Sequence, residues 1–150
     1  MSGLAEYLNG VEGFYKHDDA STAIAPASLA GKTVFFYFSA SWCPPCRGFT
    51  PQLAAFYNKY HVEKNFEVIF ITWDEEKEDS EEYFKKMPWI APSFEDTRAK
   101  IGEFLTKKFD VQSIPTLIGV DADTGKVITT KARQTVVADP EGKDFPWPDQ

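Results

Sequence analysis

A chain of 150 residues with 43% hydrophobic and 15% aromatic side chains is expected to fold as one domain, residues 1–150, around a core that needs no disulfide staples. Its formal net charge of -7 argues against nonspecific nucleic-acid or anionic-membrane partners. No run approaches the ~18 apolar residues of a membrane span. The start Met1-Ser2-Gly3-Leu4 lacks the order of a signal peptide, and it lacks the glycine that myristoylation needs at position 2. The expectation is a cytoplasmic protein in a reducing compartment, with neither nucleic acid nor membrane as partner.

Residues 1–30 read as irregular apart from a short helix near Leu4–Leu8, with a turn at Asn9-Gly10 and a stretch of small residues and proline at 20–28. The apolar run Thr33 to Ser39 predicts a central strand. Phe49, Leu53, Phe56, Tyr57 and Tyr60 then recur at helical spacing, and the pattern fades by Lys64-Asn65. Phe66 to Trp73 predicts a second buried strand, and 74–89 a loop and a short helix stopped by Pro88 and Pro92. Residues 96–109 read as a helix, Thr116 to Val120 as a strand, and Lys126 to Thr130 as its hairpin partner after a turn at 121–125. Three prolines exclude regular structure from 139–150. This order predicts an α/β fold, a central mixed sheet with helices on both faces.

The only two cysteines are Cys43 and Cys46, directly behind the first strand and opening the long helix. A site at the carboxyl end of a central strand is where open α/β sheets bind ligands. At i and i+3 the two thiols lie one turn apart, in reach of a disulfide. With Cys43 as N-cap, Pro44 suits the first helical position and Pro45 removes a second donor, so the first N–H to reach the Cys43 sulfur belongs to Cys46. The helix dipole and the Arg47 charge favour a thiolate there. Cys43 is therefore the expected nucleophile and Cys46 the resolving thiol. A zinc site would need two more ligands at matching spacing, and His17 and His61 are far apart in sequence, so no metal is expected. A redox-sensing or metal-holding module without catalysis is the alternative from a different class.

The strand–WCxxC–helix arrangement, with Ile114-Pro115-Thr116 downstream, resembles the thioredoxin superfamily. The segments Phe38 to Pro51, Trp73-Asp74-Glu75, Lys86 to Trp89, Ser113 to Leu117 and Asp144 to Trp147 together resemble the tryparedoxins, the thioredoxin-like oxidoreductases of trypanosomatids. WCPPC alone is shared with nucleoredoxins. The resemblance implies a thioredoxin-like fold and a cis Ile114–Pro115 bond beside the disulfide. It also implies a protein-disulfide oxidoreductase with no tightly bound cofactor, reduced by trypanothione, a bis-glutathione conjugate of a polyamine.

The implied targets are peroxiredoxin-type and glutathione-peroxidase-type peroxidases, hence peroxide detoxification, and ribonucleotide reductase. Trp42, Trp73, Glu75, Ile114, Pro115 and Arg133 would be substrate contacts. A carboxylate at Glu75 would attract the polyamine, and Arg133 would pair with a glycine carboxylate. Trp42 and Trp73, each beside a strand end, read as site rather than core residues. A nucleoredoxin-like or general thioredoxin, served by a thioredoxin reductase, would use the same chemistry. Ordinary thioredoxins bury an aspartate six residues before the first cysteine, where this chain has Tyr37. The proton acceptor for Cys46 is then Tyr37, Asp74, Glu75 or a water.

Overall fold

In this computed structural model, which describes residues 3–149, the elements run α1 (Ala5–Leu8), β1 (Phe14–Lys16), β2 (Asp19–Ile24), a 3-10 turn (Pro26–Leu29) and β3 (Thr33–Ser39). They continue with α2 (Pro44–Tyr60), β4 (Phe66–Thr72), α3 (Lys77–Phe84), α4 (Phe94–Asp96), a π-helical segment (Thr97–Ile101) and α5 (Gly102–Lys108). Last come β5 (Thr116–Asp121), β6 (Val127–Thr129) and α6 (Ala132–Ala138). The parts of the N-terminal and tail readings that fall on Met1, Ser2 and Gln150 lie outside the described residues.

The sheet order is β4-β3-β5-β6. β3 runs parallel to β4, with Ser39 opposite Thr72, and antiparallel to β5, with Phe38 opposite Thr116. The carboxyl ends of β3 and β4 and the start of β5 therefore share one edge. β3 is apolar nearly throughout because both its faces are covered. Val34, Phe36 and Phe38 face a core layer containing Leu4, Tyr7, Ile101 and Leu105. Phe35 and Tyr37 face the opposite layer, with Phe49, Leu53, Phe56 and Tyr57 of α2, Tyr83 of α3 and Val136 of α6. In β5, Gly119 makes room for the Phe35 ring, which lies 2.7 Å from where a Cβ would stand. The mixed sheet with helices on both faces is as the sequence predicts.

The first thirty residues are not irregular beyond their short helix, and that expectation is corrected. β1 and β2 form an antiparallel hairpin. Tyr15 and Ala91 exchange backbone hydrogen bonds of 2.7 and 3.0 Å, and Phe70 N–H donates to the Ile90 carbonyl at 2.9 Å. Residues 90–91 thus tie the hairpin to β4. The sequence hides it because β2 is exposed and carries no apolar alternation; backbone pairing supplied by a distant segment holds it. α6 was also unassigned, since Ala132 and Val136 are its only buried residues.

The helix expected over 96–109 begins earlier, at Phe94, where Ser93 Oγ accepts the Asp96 N–H at 3.0 Å. It passes through the π-helical segment, after which a Cβ at Gly102 would stand 2.7 Å from the Thr97 carbonyl oxygen. Among its described residues the tail has no helix or strand, as expected, yet it is packed. Phe145 and Trp147 lie against Phe35 and Phe56, and Asp139 accepts from the Lys143 and Asp144 N–H groups and from Trp147 Nε1. Asp149 N–H donates to the Ile128 carbonyl at 2.8 Å, so the tail pairs with the edge strand β6.

Candidate active site

Cys43 leaves β3 in an extended conformation, φ -100° and ψ 106°, and is the N-cap of α2. Pro44 and Pro45 fill the first two helical positions, so neither offers an N–H. The Cys46 N–H donates to Cys43 Sγ at 3.3 Å, and the Arg47 N–H donates to the Cys43 carbonyl oxygen at 3.1 Å. The two cysteines are joined as a disulfide, with Cα atoms 5.2 Å apart. Cys46 is fully buried and Cys43 nearly so.

Ile114–Pro115 is a cis peptide, and the Ile114 carbonyl oxygen lies 3.8 Å from Cys43 Sγ. Ile114 and Trp73, both half-buried, pack against the small cluster of Ala40, Cys43 and Cys46. Pro115 is half-buried directly before β5. The fold thus gathers Cys43, Cys46, Ile114 and Trp73 into contact from three separate segments.

Trp42, Pro44, Pro45 and Arg47 are exposed around this pair, with Trp42 at 59%. Trp73 is fixed at both ends: its backbone N–H donates to the Ser39 carbonyl at 2.9 Å and its Nε1 to Thr106 Oγ1 at 3.2 Å. Asp74 is buried, and its carboxylate accepts from the Ser41 N–H at 3.1 Å and the Ser41 hydroxyl at 2.7 Å. This bond ties the loop before Cys43 to the end of β4. Glu75, one residue on, is exposed. Arg133 is half-buried in the first turn of α6, the element that follows β6.

Beneath Cys46 lies a set of hydroxyls that sequence reasoning saw only through Tyr37. Thr50 Oγ1 donates to the Cys46 carbonyl at 2.9 Å. Tyr37 OH lies 2.7 Å and Tyr83 OH 2.6 Å from Thr50 Oγ1, and Ser39 Oγ lies 2.8 Å from Tyr83 OH. All four residues are buried. Burial, with Tyr83 close by, pushes the Tyr37 phenol well above the ordinary tyrosine range, so it is neutral. Thr50 was findable, four residues after Cys46 and so on the same helix face. Ser39 and Tyr83 bear no sequence relation to the pair.

Among the described residues no three His, Cys, Asp or Glu side chains gather as a metal site, and no helix is long and apolar enough to cross a membrane. The arrangement places one sulfur at a helix start beside solvent-exposed groups, bonded to a second in the interior. That geometry suits thiol–disulfide exchange.

Residues 31–127 match a protein family described as thioredoxin-like. The chain is 57% identical over 148 residues to tryparedoxin of Trypanosoma brucei brucei, covering 99% of each. Among solved structures it resembles native tryparedoxin I from Crithidia fasciculata, with 58% identity, 99% of this chain and 100% of that one covered, and a TM-score of 0.93. The same coverage, identity and TM-score hold for a tryparedoxin II solved in complex with glutathionylspermidine.

Proposed function

Since this chain belongs to the tryparedoxin family of thioredoxin-like thiol–disulfide oxidoreductases, we propose that it takes reducing equivalents from trypanothione and passes them to disulfides in protein targets. The observation that carries the proposal is the Cys43–Cys46 disulfide at the start of α2, with Trp42 exposed directly before Cys43 and Trp73 and Ile114 packed against the pair. A tryparedoxin II with 58% identity accommodates glutathionylspermidine, which joins a glutathione to a polyamine as trypanothione does.

In the reductive half, a donor thiolate attacks Cys43 Sγ and the Cys43–Cys46 bond breaks. Both electrons of that bond leave with Cys46, which takes a proton. The donor's second thiol then displaces Cys43, leaving an oxidised donor and a dithiol protein. In the other half, the Cys43 thiolate attacks a target disulfide, Cys46 loses its proton and resolves the mixed disulfide, and the target leaves as a dithiol. Pro44, Pro45 and Arg47 support the thiolate at Cys43, since the Cys46 N–H is the first donor the helix can offer it.

Trp42 and Trp73 would flank the bound conjugate, Glu75 would meet its ammonium groups and Arg133 a glycine carboxylate, while the Ile114–Pro115 backbone would pair with substrate. Asp74 acts by holding the loop before Cys43 through Ser41. The targets would be peroxiredoxin-type and glutathione-peroxidase-type peroxidases and ribonucleotide reductase, served in the cytoplasm by a chain acting as one domain and needing no bound cofactor.

Turnover of an oxidised peroxidase with this protein and trypanothione is the test. Sustained turnover is expected. Reduction only by NADPH and a thioredoxin reductase would sink the donor assignment in favour of a general thioredoxin.

A further inference from the structure

Trp73 belongs to two packing groups at once: it lies against the cluster of Ala40, Cys43 and Cys46, and against the core layer that holds Ile101 and Leu105. Its backbone bond to Ser39 fixes where the residue stands, but the indole still turns about two side-chain bonds. The one polar atom of that ring is Nε1, which can only donate, and its acceptor is Thr106 Oγ1 at 3.2 Å. Thr106 gives its own proton to the Gly102 carbonyl oxygen at 2.8 Å, four residues earlier in α5, so the helix itself orients the accepting oxygen. Threonine is also stiff at its first side-chain bond. The Thr106 carbonyl accepts the Val111 N–H at 2.8 Å, which closes the end of α5. The π-helical segment just before Gly102 sets the phase of this helix, because one extra residue in a turn moves every later side chain by about 100° around the axis. That phase brings Thr106, and not its neighbours, to Trp73.

We propose that Thr106 is a positioning residue for donor choice: by holding the Trp73 indole as a fixed wall beside the Cys43–Cys46 disulfide, it favours a large thiol donor over a small one. The inference rests on the reading of Trp73 as a contact for the donor conjugate. The Thr106 hydroxyl bonds to Gly102 and Trp73 and to neither cysteine, so it has no part in the exchange itself. A small dithiol needs only to reach Cys43 Sγ, and the angle of the wall does not matter to it. A glutathione–polyamine conjugate is large enough to rest on the wall while its thiol attacks. A ring already at its bound angle avoids the ordering that a mobile ring requires on each encounter. Without the Thr106 oxygen, the N–H of this half-buried ring turns toward water, and the wall loses its fixed angle.

Reduction of the oxidised full-length protein by trypanothione and by dithiothreitol, followed through alkylation of the freed thiols, gives a second-order rate constant for each donor. Thr106→Val keeps the shape of the side chain and removes the acceptor. It is expected to lower the trypanothione constant about five-fold, the effect of one neutral hydrogen bond, and to leave the dithiothreitol constant within about two-fold of the parent's. Thr106→Ser, which keeps the hydroxyl, is expected to restore the parent's preference. In Trp73→Phe protein, whose ring has no N–H, adding Thr106→Val is expected to lower neither constant further. Thr106→Ala takes the place of valine in each comparison if the valine variant does not fold. Four results would each overturn the inference in a parent that trypanothione reduces: an unchanged trypanothione constant, an equal loss with both donors, a serine variant that behaves like valine, or a further loss in Trp73→Phe protein. A parent that dithiothreitol reduces and trypanothione does not would overturn the donor reading, and the inference with it.

Discussion

The two ends of α2 are tied to the sheet by different chemistry. At its start, Thr50, Tyr37, Tyr83 and Ser39 bond to one another as neutral hydroxyls. At its far end, Tyr57 stacks on His61 with ring centroids 4.1 Å apart, and the His61 Nδ1 lies 2.8 Å from the Tyr57 carbonyl oxygen. There the Tyr57 hydroxyl meets Glu67 of β4, a carboxyl whose pKa is raised, chiefly by burial, against the opposing pull of the Val68 N–H, Tyr57, His61 and Lys32. The cluster beneath the sulfurs is built from hydroxyls and holds no carboxylate, lysine, arginine or histidine; the end remote from them places a carboxyl and an imidazole beside Tyr57. A charge under Cys46 would bias its proton at every pH where that charge exists, whereas a charge at the far end alters only stability.

The largest effect that would break this comparison is on turnover. Cys43→Ser is expected to lower trypanothione-dependent turnover by about 10³-fold or more, as loss of a nucleophile does. A variant with near-parental rates would remove the sulfur end from the chemistry altogether. Next in size is Trp147→Ala, which strips the tail from Phe56, a ring 5.4 Å away on the far half of α2. A loss of about 3–5 kcal/mol in urea unfolding is expected, with the alkylation rate of reduced Cys43 unchanged. Altered Cys43 reactivity would show that the two ends are coupled through the helix.

Smaller still is Asp74→Ala, which leaves the half-buried Ser41 donors without their acceptor. It is expected to cost about 1–3 kcal/mol by the same measurement. A Cys46 titration that moved with it would make Asp74 the proton acceptor and spoil the contrast.

The smallest effect sharpens the far end. A carboxyl whose folded pKa lies above its unfolded value contributes stability in full below the unfolded value, and loses it as pH rises through the folded one. Glu67→Gln should therefore be more stable to urea than the parent near pH 7, by about 1 kcal/mol or less. The advantage should vanish below the ordinary glutamate range. An advantage that persisted in acid would show that Glu67 costs stability through shape and not through charge.

Much of the site was legible because its signals are local. Cys43, Pro44, Pro45 and Cys46 sit within one helical turn, and the rules of helix starts assign each a place without reference to the rest of the chain. Trp73 and Asp74 were legible as the end of an apolar strand. The hairpin at 14–24 was missed because its strands are held by residues 90–91, and α6 because two buried residues make too weak a period. The roles of Asp74 and Tyr37 were left open for the same reason: each depends on partners more than ten residues away, Ser41 for one and Thr50 and Tyr83 for the other.

By itself the sequence determined the redox pair at a helix start and the mixed sheet, because helix capping and hydrophobic periodicity act over a few residues. Only the tertiary structure decided what surrounds Cys46. The direction of each proton in the cluster follows from one carbonyl oxygen and four hydroxyls drawn from β3, α2 and α3, and hydrogen-bond direction is a property of neighbours in space.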